Sequence, residues 1–253
     1  MVINMFTDTH CHLFKDYYDN LENILKEAKE NNVIRYISDG CDMNSNKEMI
    51  ELAKKYDDIY ITLGIHPESV NSYIEDDLKF IENNIKNEKV VAIGEIGLDY
   101  YYGKDDKEKQ KKLFEIQLKL AEKYNMPVVI HSREATQDTI DILKKYNIKG
   151  VIHSFTGSLE VAKIYIKMGY LLGVNGVITF KNSNVKEIIK EVGLNNIILE
   201  TDSPYLTPHP YRGKQNNPKY IKEIAEFVAK LYNISVEELA SITNQNIKRL
   251  FDI

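Results

Sequence analysis

The sequence has only two cysteines, Cys11 and Cys41, which is too few for a disulfide framework and favours a reducing compartment. It has no run of 18 apolar residues, so we expect no membrane-spanning segment and no membrane partner. Its first ten residues lack the basic-then-apolar pattern of a signal peptide, and a cytoplasmic protein is expected. Basic residues are outnumbered by acidic ones, 33 against 38. The net charge of −5 excludes a protein that holds nucleic acid by an overall positive field.

The composition is that of an ordinary globular protein, with 43% hydrophobic and 28% charged residues. The length of 253 residues is close to the ~250 typical of one (β/α)₈ barrel. A chain of this size can bury enough surface to form a core without disulfides or a partner subunit. We therefore expect a single domain over residues 1–253.

Short apolar runs alternate with longer amphipathic, lysine-rich stretches along the chain. Eight runs have the composition of buried strands: residues 2–7, 33–38, 59–63, 89–93, 127–130, 150–152, 170–174 and 196–199. S-x-x-E patterns at Ser45 and Ser235 predict the starts of two intervening helices. Eight strand–helix units favour an α/β fold of the (β/α)₈ TIM barrel type. The alternative is an open doubly wound sheet, but its glycine fingerprint is missing after the first run.

The six histidines avoid the predicted helices and strand starts. Five lie at or just beyond the predicted strand ends, and the sixth lies in the proline-rich loop 203–218: His10, His12, His66, His131, His153 and His209. Because a strand has a period of two, His10 and His12 point the same way and can bind one metal ion. The carboxyl ends of barrel strands meet at one face, where catalytic residues of this fold are found. The pattern therefore predicts a metal site at that face.

Two carboxylates, Glu95 and Asp202, occupy equivalent strand ends. Four histidines and two carboxylates exceed the needs of one tetrahedral ion and suit two. Nitrogen and oxygen ligands without thiolate suit Zn, Mn, Fe or Mg. The alternative for the carboxylates is a buried salt bridge within the barrel. Cys11 lies between His10 and His12 and so should point away from them as a packed thiol, and Cys41 is also interpreted as structural.

Together, six short motifs make the sequence resemble the TatD family of metal-dependent deoxyribonucleases, which belongs to the amidohydrolase-like metallo-barrels. The resemblance extends from about residue 6 to residue 218. The motifs are DTHCH at 8–12, GIHP at 64–67, GEIGLDY at 94–100, HSR at 131–133, HSFTG at 153–157 and ETDSP at 200–204. Each is weak alone, whereas six in the right order and spacing are specific. The mild departure is Glu68, where relatives often have histidine.

The resemblance implies a ligand set: His10, His12 and Asp202 on one ion, His131 and His153 on the other, and Glu95 bridging the two. Two divalent ions are expected, Mg²⁺ or Mn²⁺ with Zn²⁺ as an alternative. Asp202 and Glu95 are the predicted catalytic residues. Asp202 would orient or deprotonate the attacking water.

Arginine use points to phosphate. Only four of the basic residues are arginine, and two of them, Arg133 and Arg212, lie in candidate site segments. We predict that both contact substrate phosphates and that His66 and Tyr205 also contact the substrate. Further tyrosines could stack nucleobases at the mouth of the barrel, although packing is an equally good interpretation for any one of them: Tyr100, Tyr101, Tyr102 and Tyr211.

The predicted function is hydrolysis of DNA phosphodiester bonds by a two-metal site. The expected substrate is single-stranded DNA or a frayed end, and the resemblance indicates a 3′–5′ exonuclease. No obligate protein partner is inferred. The first alternative is a metallo-barrel amidohydrolase, lactonase or phosphotriesterase acting on a small molecule. The second is a binding protein that has lost its chemistry, which the complete ligand set disfavours.

Overall fold

The computed structural model describes residues 5–253. Within them eight strands form one sheet: β1 (Phe6–Cys11), β2 (Val33–Asp39), β3 (Ile59–Leu63), β4 (Val90–Asp99), β5 (Val128–Arg133), β6 (Gly150–Ile152), β7 (Tyr170–Val174) and β8 (Ile197–Leu199). The nine α-helices of this part of the chain are α1 (Leu21–Glu30), α2 (Met43–Lys55), α3 (Glu75–Asn84), α4 (Lys107–Tyr124), α5 (Thr136–Leu143), α6 (Leu159–Lys167), α7 (Val185–Val192), α8 (Ile221–Tyr232) and α9 (Val236–Phe251).

The strands are parallel and follow each other in chain order from β1 to β8. Hydrogen bonds from the Asp202 amide to the His10 carbonyl (2.9 Å) and from the His12 amide to the Ser203 carbonyl (2.8 Å) join β1 to the segment after β8. A doubly wound sheet would reverse its strand order, so that alternative is wrong. The fold is the predicted (β/α)₈ TIM barrel.

All eight predicted apolar runs overlap strands, but two strands extend well beyond them. The first run was predicted at residues 2–7, whereas β1 spans Phe6–Cys11; residues 2–4 lie outside the described part of the chain. The run at 89–93 becomes the ten-residue β4, which includes Glu95. In both cases the additional strand residues include polar side chains that face the barrel interior. The predicted extent of the domain, residues 1–253, stays a prediction.

One of the two predicted helix starts is correct. The Ser235 side chain accepts a hydrogen bond from the Glu238 amide and caps α9. Ser45 is not the cap of α2; that position belongs to Asp42, whose carboxylate accepts from the Ser45 amide at 2.8 Å. Aspartate and serine are both good caps, so the residue three positions earlier competes for the role.

An apolar layer inside the barrel supports the polar face. It includes Ile37, Val129, Val151 and Ile198, and α9 packs against it with Ile247 and Phe251. Two residues further along the same strands, the side chains become polar: Asp39, His131, His153 and Glu200. Because side chains two apart on a strand share a face, these polar groups form the next layer toward the carboxyl ends. Among the described residues, no helix is long and apolar enough to cross a membrane.

Candidate metal centre

The six residues predicted to bind metal come together at the carboxyl end of the barrel. The strands supply them as follows: His10 in β1 with His12 just beyond it, Glu95 in β4, His131 in β5, His153 just beyond β6, and Asp202 beyond β8. Close approach of β4 to β5 depends on Gly97 (φ 144°), where a Cβ would lie 2.0 Å from the His131 carbonyl oxygen. The sheet therefore brings distant parts of the chain to one point.

His10, His12 and Asp202 form one group of donors. The Nε2 atoms of the two histidines lie 3.7 and 3.6 Å from Oδ1 of Asp202. Asp202 has a positive φ of 56°, and its amide bonds to the His10 carbonyl. This left-handed conformation, which aspartate tolerates better than most residues, is tied directly to β1. The three donor atoms are close enough to bind one ion.

Glu95 lies between two sets of histidines. Its Oε2 faces Nε2 of His10 (3.6 Å) and of His12 (3.9 Å). Its Oε1 faces Nδ1 of His131 (2.8 Å) and Nε2 of His153 (3.6 Å). One carboxylate therefore has an oxygen directed at each of the two groups.

His66 lies closer to this cluster than a residue that only contacts substrate would require. Its Nε2 is 3.7 Å from Oε1 of Glu95, and its ring is 4.5 Å from the His131 ring. His66, Glu95 and His131 form a second group of potential ligands. His153 instead stacks on His10, with ring centres 3.7 Å apart, and groups with His10 and Glu95. His66 is thus a further candidate ligand.

Three of the histidines around Glu95, in β1, in β5 and just beyond β6, each meet an outer carboxylate that sequence analysis did not predict. Asp39 Oδ2 is 3.2 Å from His10 Nδ1, and the Asp39 carbonyl is 3.3 Å from His12 Nδ1. Asp99 accepts a hydrogen bond from His131 Nε2 at 3.0 Å, and Glu200 Oε1 is 3.2 Å from His153 Nδ1. Such partners fix the orientation and tautomer of metal-binding histidines. Asp39, Asp99 and Glu200 lie at or just beyond strand ends, as Glu95 and Asp202 do, and that position is their signal in the sequence.

The pKa of Glu95 is lowered, whereas those of His131 and His153 are raised. Burial disfavours the charge on Glu95, but the facing imidazoles and the His131 hydrogen bond hold the pKa of this carboxyl well below its usual range. Burial likewise opposes a charge on His131, yet its bonds to Asp99 and Glu95 raise its pKa to about 9. The pKa of His153 rises to about 10, despite burial, through the charges of Glu200, Asp202 and Glu95.

His10 and His66 behave in the opposite way. Burial, followed by the charge of neighbouring histidines, lowers the pKa of His10 well below its usual value and that of His66 to about 3. A lowered pKa favours the neutral imidazole, which is the form that binds a metal ion. The pKa of His12 is instead raised well above its usual value, despite burial, by Cys41, Asp202 and Glu95.

The donor set fits divalent metal. His10 Nε2 is buried and has no hydrogen-bond partner among the described residues, although it faces two carboxylates. A buried polar atom of this kind normally has a partner, and imidazole nitrogen next to carboxylate is the donor chemistry of Zn, Mn and Fe sites. Cys11 points away from the histidines and contacts the Ile37 carbonyl, whereas Cys41 Sγ lies 3.9 Å from His12 Nδ1 at the edge of the centre.

Of the predicted substrate contacts, Arg133 and Tyr205 lie near the centre. Arg133 ends β5, two residues after His131, and is exposed. Tyr205 is 51% exposed, and its ring centre is 6.3 Å from that of His12. Arg212 is also exposed, but its guanidinium lies 3.9 Å over the Phe180 ring. The exposed His209 is held through its amide by Thr179.

Stacking of a base on Tyr100 is excluded. Its side chain is buried, its hydroxyl donates to Asp138 at 2.6 Å, and Lys107 lies over its ring. Tyr211 packs on Tyr220, with ring centres 4.9 Å apart. Of the tyrosines proposed to stack bases, Tyr101 and Tyr102 are open to solvent, as is Tyr205.

Comparison with known proteins gives consistent results. The family model described as TatD related DNase matches residues 7–252. The chain is 44% identical to the Bacillus subtilis uncharacterized metal-dependent hydrolase YabD, over 98% of this chain and all of that protein. It superimposes on the crystal structure of the TatD homologue YjjV from Escherichia coli with a TM-score of 0.94 at 30% identity, and all of both chains is covered.

A more distant likeness extends only to the fold. A mutant PTE-like lactonase from Deinococcus radiodurans aligns with a TM-score of 0.66 at 11% identity, over 97% of this chain and 95% of that one. A barrel of this shape therefore supports more than one hydrolytic chemistry.

Proposed function

The chain belongs to the TatD-related DNase family and is a metal-dependent hydrolase, and from that premise we propose that it removes nucleotides from the 3′ end of single-stranded or frayed DNA. Two divalent ions, Mg²⁺ or Mn²⁺ with Zn²⁺ as an alternative, would serve the reaction. Their proposed ligands are His10, His12 and Asp202 on one side, His131 and His153 on the other, and Glu95 between them. The observation that carries the proposal is the position of Glu95, whose two oxygens face separate histidine groups.

The proposed hydrolysis breaks the bond between the phosphorus of the 3′-terminal nucleotide and O3′ of the nucleotide before it. Divalent ions, when bound by these residues, would polarise a phosphodiester and lower the pKa of water. The water oxygen bonds to phosphorus, its proton passes to Asp202 and then to solvent, and the 3′-oxygen leaves with a proton from solvent. Asp202 suits this role because its side chain is 13% exposed, against 3% for Glu95. Glu95 stays ionised and keeps the histidines in place.

Four side chains are proposed to contact the substrate. Arg133 and Arg212 would bind phosphates through their planar guanidinium groups, and both are exposed. Tyr205 would contact a base. His66 would contact the substrate, or bind metal together with Glu95 and His131. A small amide, lactone or phosphotriester would have no use for two exposed arginines, which favours the phosphodiester over that alternative.

The remaining parts of the proposal concern the setting of the reaction. Both cysteines are free, which favours a reducing compartment and agrees with the proposed cytoplasmic location. No obligate protein partner is proposed, because every donor of the centre comes from this chain.

The experiment is a metal-supplemented assay that compares end-labelled single strands, duplex, a covalently closed single-stranded circle, bis(p-nitrophenyl) phosphate, and lactone, amide and phosphotriester substrates. We expect stepwise shortening of the linear strand from its 3′ end and resistance of the circle. Hydrolysis of the circle at the rate of the linear strand would contradict the proposed exonuclease activity. Turnover of only the lactone, amide or a phosphotriester would replace the nuclease by the small-molecule hydrolase.

A further inference from the structure

Tyrosines lie on two opposite sides of the candidate metal centre. Tyr17 follows β1 and Tyr205 follows β8, which are neighbours in the barrel. Tyr101 and Tyr102 follow β4, which is four strands away from β8 in the order of eight. Because the strands surround the centre, the two pairs face each other across the mouth of the barrel.

The pair at β1 and β8, which we call the Tyr205 platform (Tyr17 and Tyr205), offers an aromatic surface. The two hydroxyls are 2.9 Å apart and the ring centres 6.0 Å. The Tyr205 amide donates to the Asp202 carbonyl at 2.8 Å, so the exposed ring is anchored to a proposed ligand. A base stacked here would place its phosphate beside His12 and Asp202.

The pair at β4, which we call the Arg133 seat (Tyr101 and Tyr102), offers a charge. The Arg133 guanidinium lies 4.0 Å from the centre of the Tyr101 ring and 4.9 Å from that of Tyr102. Stacking on aromatic rings holds a guanidinium in place and leaves its edges free for phosphate oxygens.

Asp99 ties this seat to the metal centre. Its Oδ1 accepts from the amides of Tyr101 and Tyr102, both at 2.9 Å, while its Oδ2 accepts from His131. One buried carboxylate thus positions both a proposed ligand and the support of Arg133. The Tyr205 platform is thus connected to the proposed ligand Asp202, and the Arg133 seat is connected through Asp99 to the proposed ligand His131.

Resting on the proposed function, we propose that the mouth is a two-sided subsite for a single DNA strand of at least two nucleotides. The Tyr205 platform stacks a base on one side of the scissile phosphate. Arg133 binds the next phosphate on the other side. The two subsites make an oligonucleotide a better substrate than a small diester that has neither bases nor a second phosphate.

The stacking half is tested with Tyr205→Leu, Tyr205→Phe and a matched control, Tyr146→Leu, in the loop between α5 and β6 at the opposite end of the barrel. The readouts are kcat and KM for a thymidine hexamer and for bis(p-nitrophenyl) phosphate, and anisotropy of a labelled phosphorothioate hexamer. Tyr205→Leu should lose about tenfold more in kcat/KM for the hexamer than for the small diester, mainly through KM, and should bind the hexamer about tenfold more weakly. Tyr205→Phe, which keeps the ring, and Tyr146→Leu should retain the preference of the parent.

The phosphate half is tested with Arg133→Lys, and Arg35→Lys at the start of β2 as its control. Arg133→Lys should raise KM for the hexamer about fivefold. It should also reduce the increase in kcat/KM from a thymidine dinucleotide to the hexamer. An unchanged preference in both Tyr205→Leu and Arg133→Lys would overturn the proposal, as would equal losses in Tyr205→Phe and Tyr205→Leu. If the parent cleaves no DNA, the proposed function itself fails; if the parent cleaves DNA and the variants keep its preference, only the two-sided subsite fails.

Discussion

The two sides of Glu95 present metal donors in different ways. On the β1 side (His10, His12 and Asp202), the Nε2 atoms of both histidines lie 3.6–3.9 Å from Asp202 Oδ1 and from Glu95 Oε2. Two nitrogen or oxygen ligands about 2.1 Å from a tetrahedral ion lie about 3.4 Å apart, so these spacings need little change to bind metal. On the β5 side (His131 and His153, with His66 next to His131), Glu95 and His131 are hydrogen-bonded at 2.8 Å.

This difference predicts which side of Glu95 binds its metal ion first. On the β5 side, His131 must lose a proton and its bond to Glu95 before it can bind an ion, and Asp99 stabilises the protonated form. On the β1 side, the pKa of His10 is lowered, but that of His12 is raised well above its usual value, despite burial, by Cys41, Asp202 and Glu95, so a proton must be displaced there as well. We therefore expect the β1 side to bind its ion more tightly because of its donor spacing, and binding on both sides to strengthen as pH rises.

The largest effect is expected from Glu95→Gln, which removes the one carboxylate shared by both sides. The amide keeps the shape but cannot balance the charge of two ions. DNA hydrolysis should fall at least about a thousandfold and metal content should fall on both sides, while the circular dichroism spectrum is kept. Metal analysis after dialysis and a DNA assay check this, with the exposed Glu108→Gln in α4 as control. Full activity with unchanged metal content would sink the two-ion model.

Asp202→Asn should weaken metal binding on the β1 side and leave binding on the β5 side almost unchanged. It removes a charge from the β1 side only, together with the proposed proton acceptor, so kcat should fall about 100- to 1000-fold. Titration with Mn²⁺ should show weaker binding at the tighter of two sites and little change at the other. Equal weakening of both sites would contradict the division into two sides.

Asp99→Asn should act on the β5 side. Loss of an outer carboxylate commonly costs about 10- to 100-fold in metal affinity, and here the weaker site should lose it. Without the Asp99 charge, the pKa of His131 should fall from about 9, which NMR titration of the metal-free protein measures. Asp138→Asn, which changes a carboxylate bonded to Tyr100 and Lys111, is the matched control. An unchanged His131 titration would show that Asp99 does not stabilise the imidazolium.

The smallest effect concerns pH. The pKa values of His131 and His153, about 9 and 10 in the folded protein, lie above the ordinary 6.5. The stability that these imidazoliums give to the metal-free protein is fully present below pH 6.5 and is lost as pH rises through 9 to 10. Metal requires the neutral form, so apparent affinity should rise up to about tenfold per pH unit between pH 7 and 9 for each proton released. Calorimetry in buffers of different ionisation enthalpy counts the protons, and a count of zero would contradict these protonation states.

The sequence was sufficient to predict the barrel because its signals are local and repeated. Each apolar run marks a strand, and the strand-end rule placed His10, Glu95, His131 and Asp202 at one face. Apolar patterning failed at β1 and β4, where Asp8 and Glu95 continue the strand as buried polar residues. At these positions the side chains belong to the polar layer of the barrel interior and not to the apolar core, so a pattern of apolar residues does not detect them.

The outer carboxylates could not be predicted in the same way. Which histidine meets Asp39 or Asp99 depends on strand register, and β1 and β4 both contain register shifts. Likewise, Tyr100 and Tyr101 are adjacent in sequence, yet one is buried against Asp138 and the other is exposed under Arg133. Such alternation at a strand end is set by contacts with distant residues.

The arrangement of metal around Glu95 is tested most directly by anomalous diffraction from crystals prepared with rising concentrations of Mn²⁺. We expect the first peak among His10, His12, Asp202 and Glu95 Oε2. A second peak should grow on the His131 side of Glu95 as the concentration rises, about 3.5–4 Å from the first. Full occupancy on the His131 side before the His10 side, or metal bound without contact to Glu95, would contradict this arrangement.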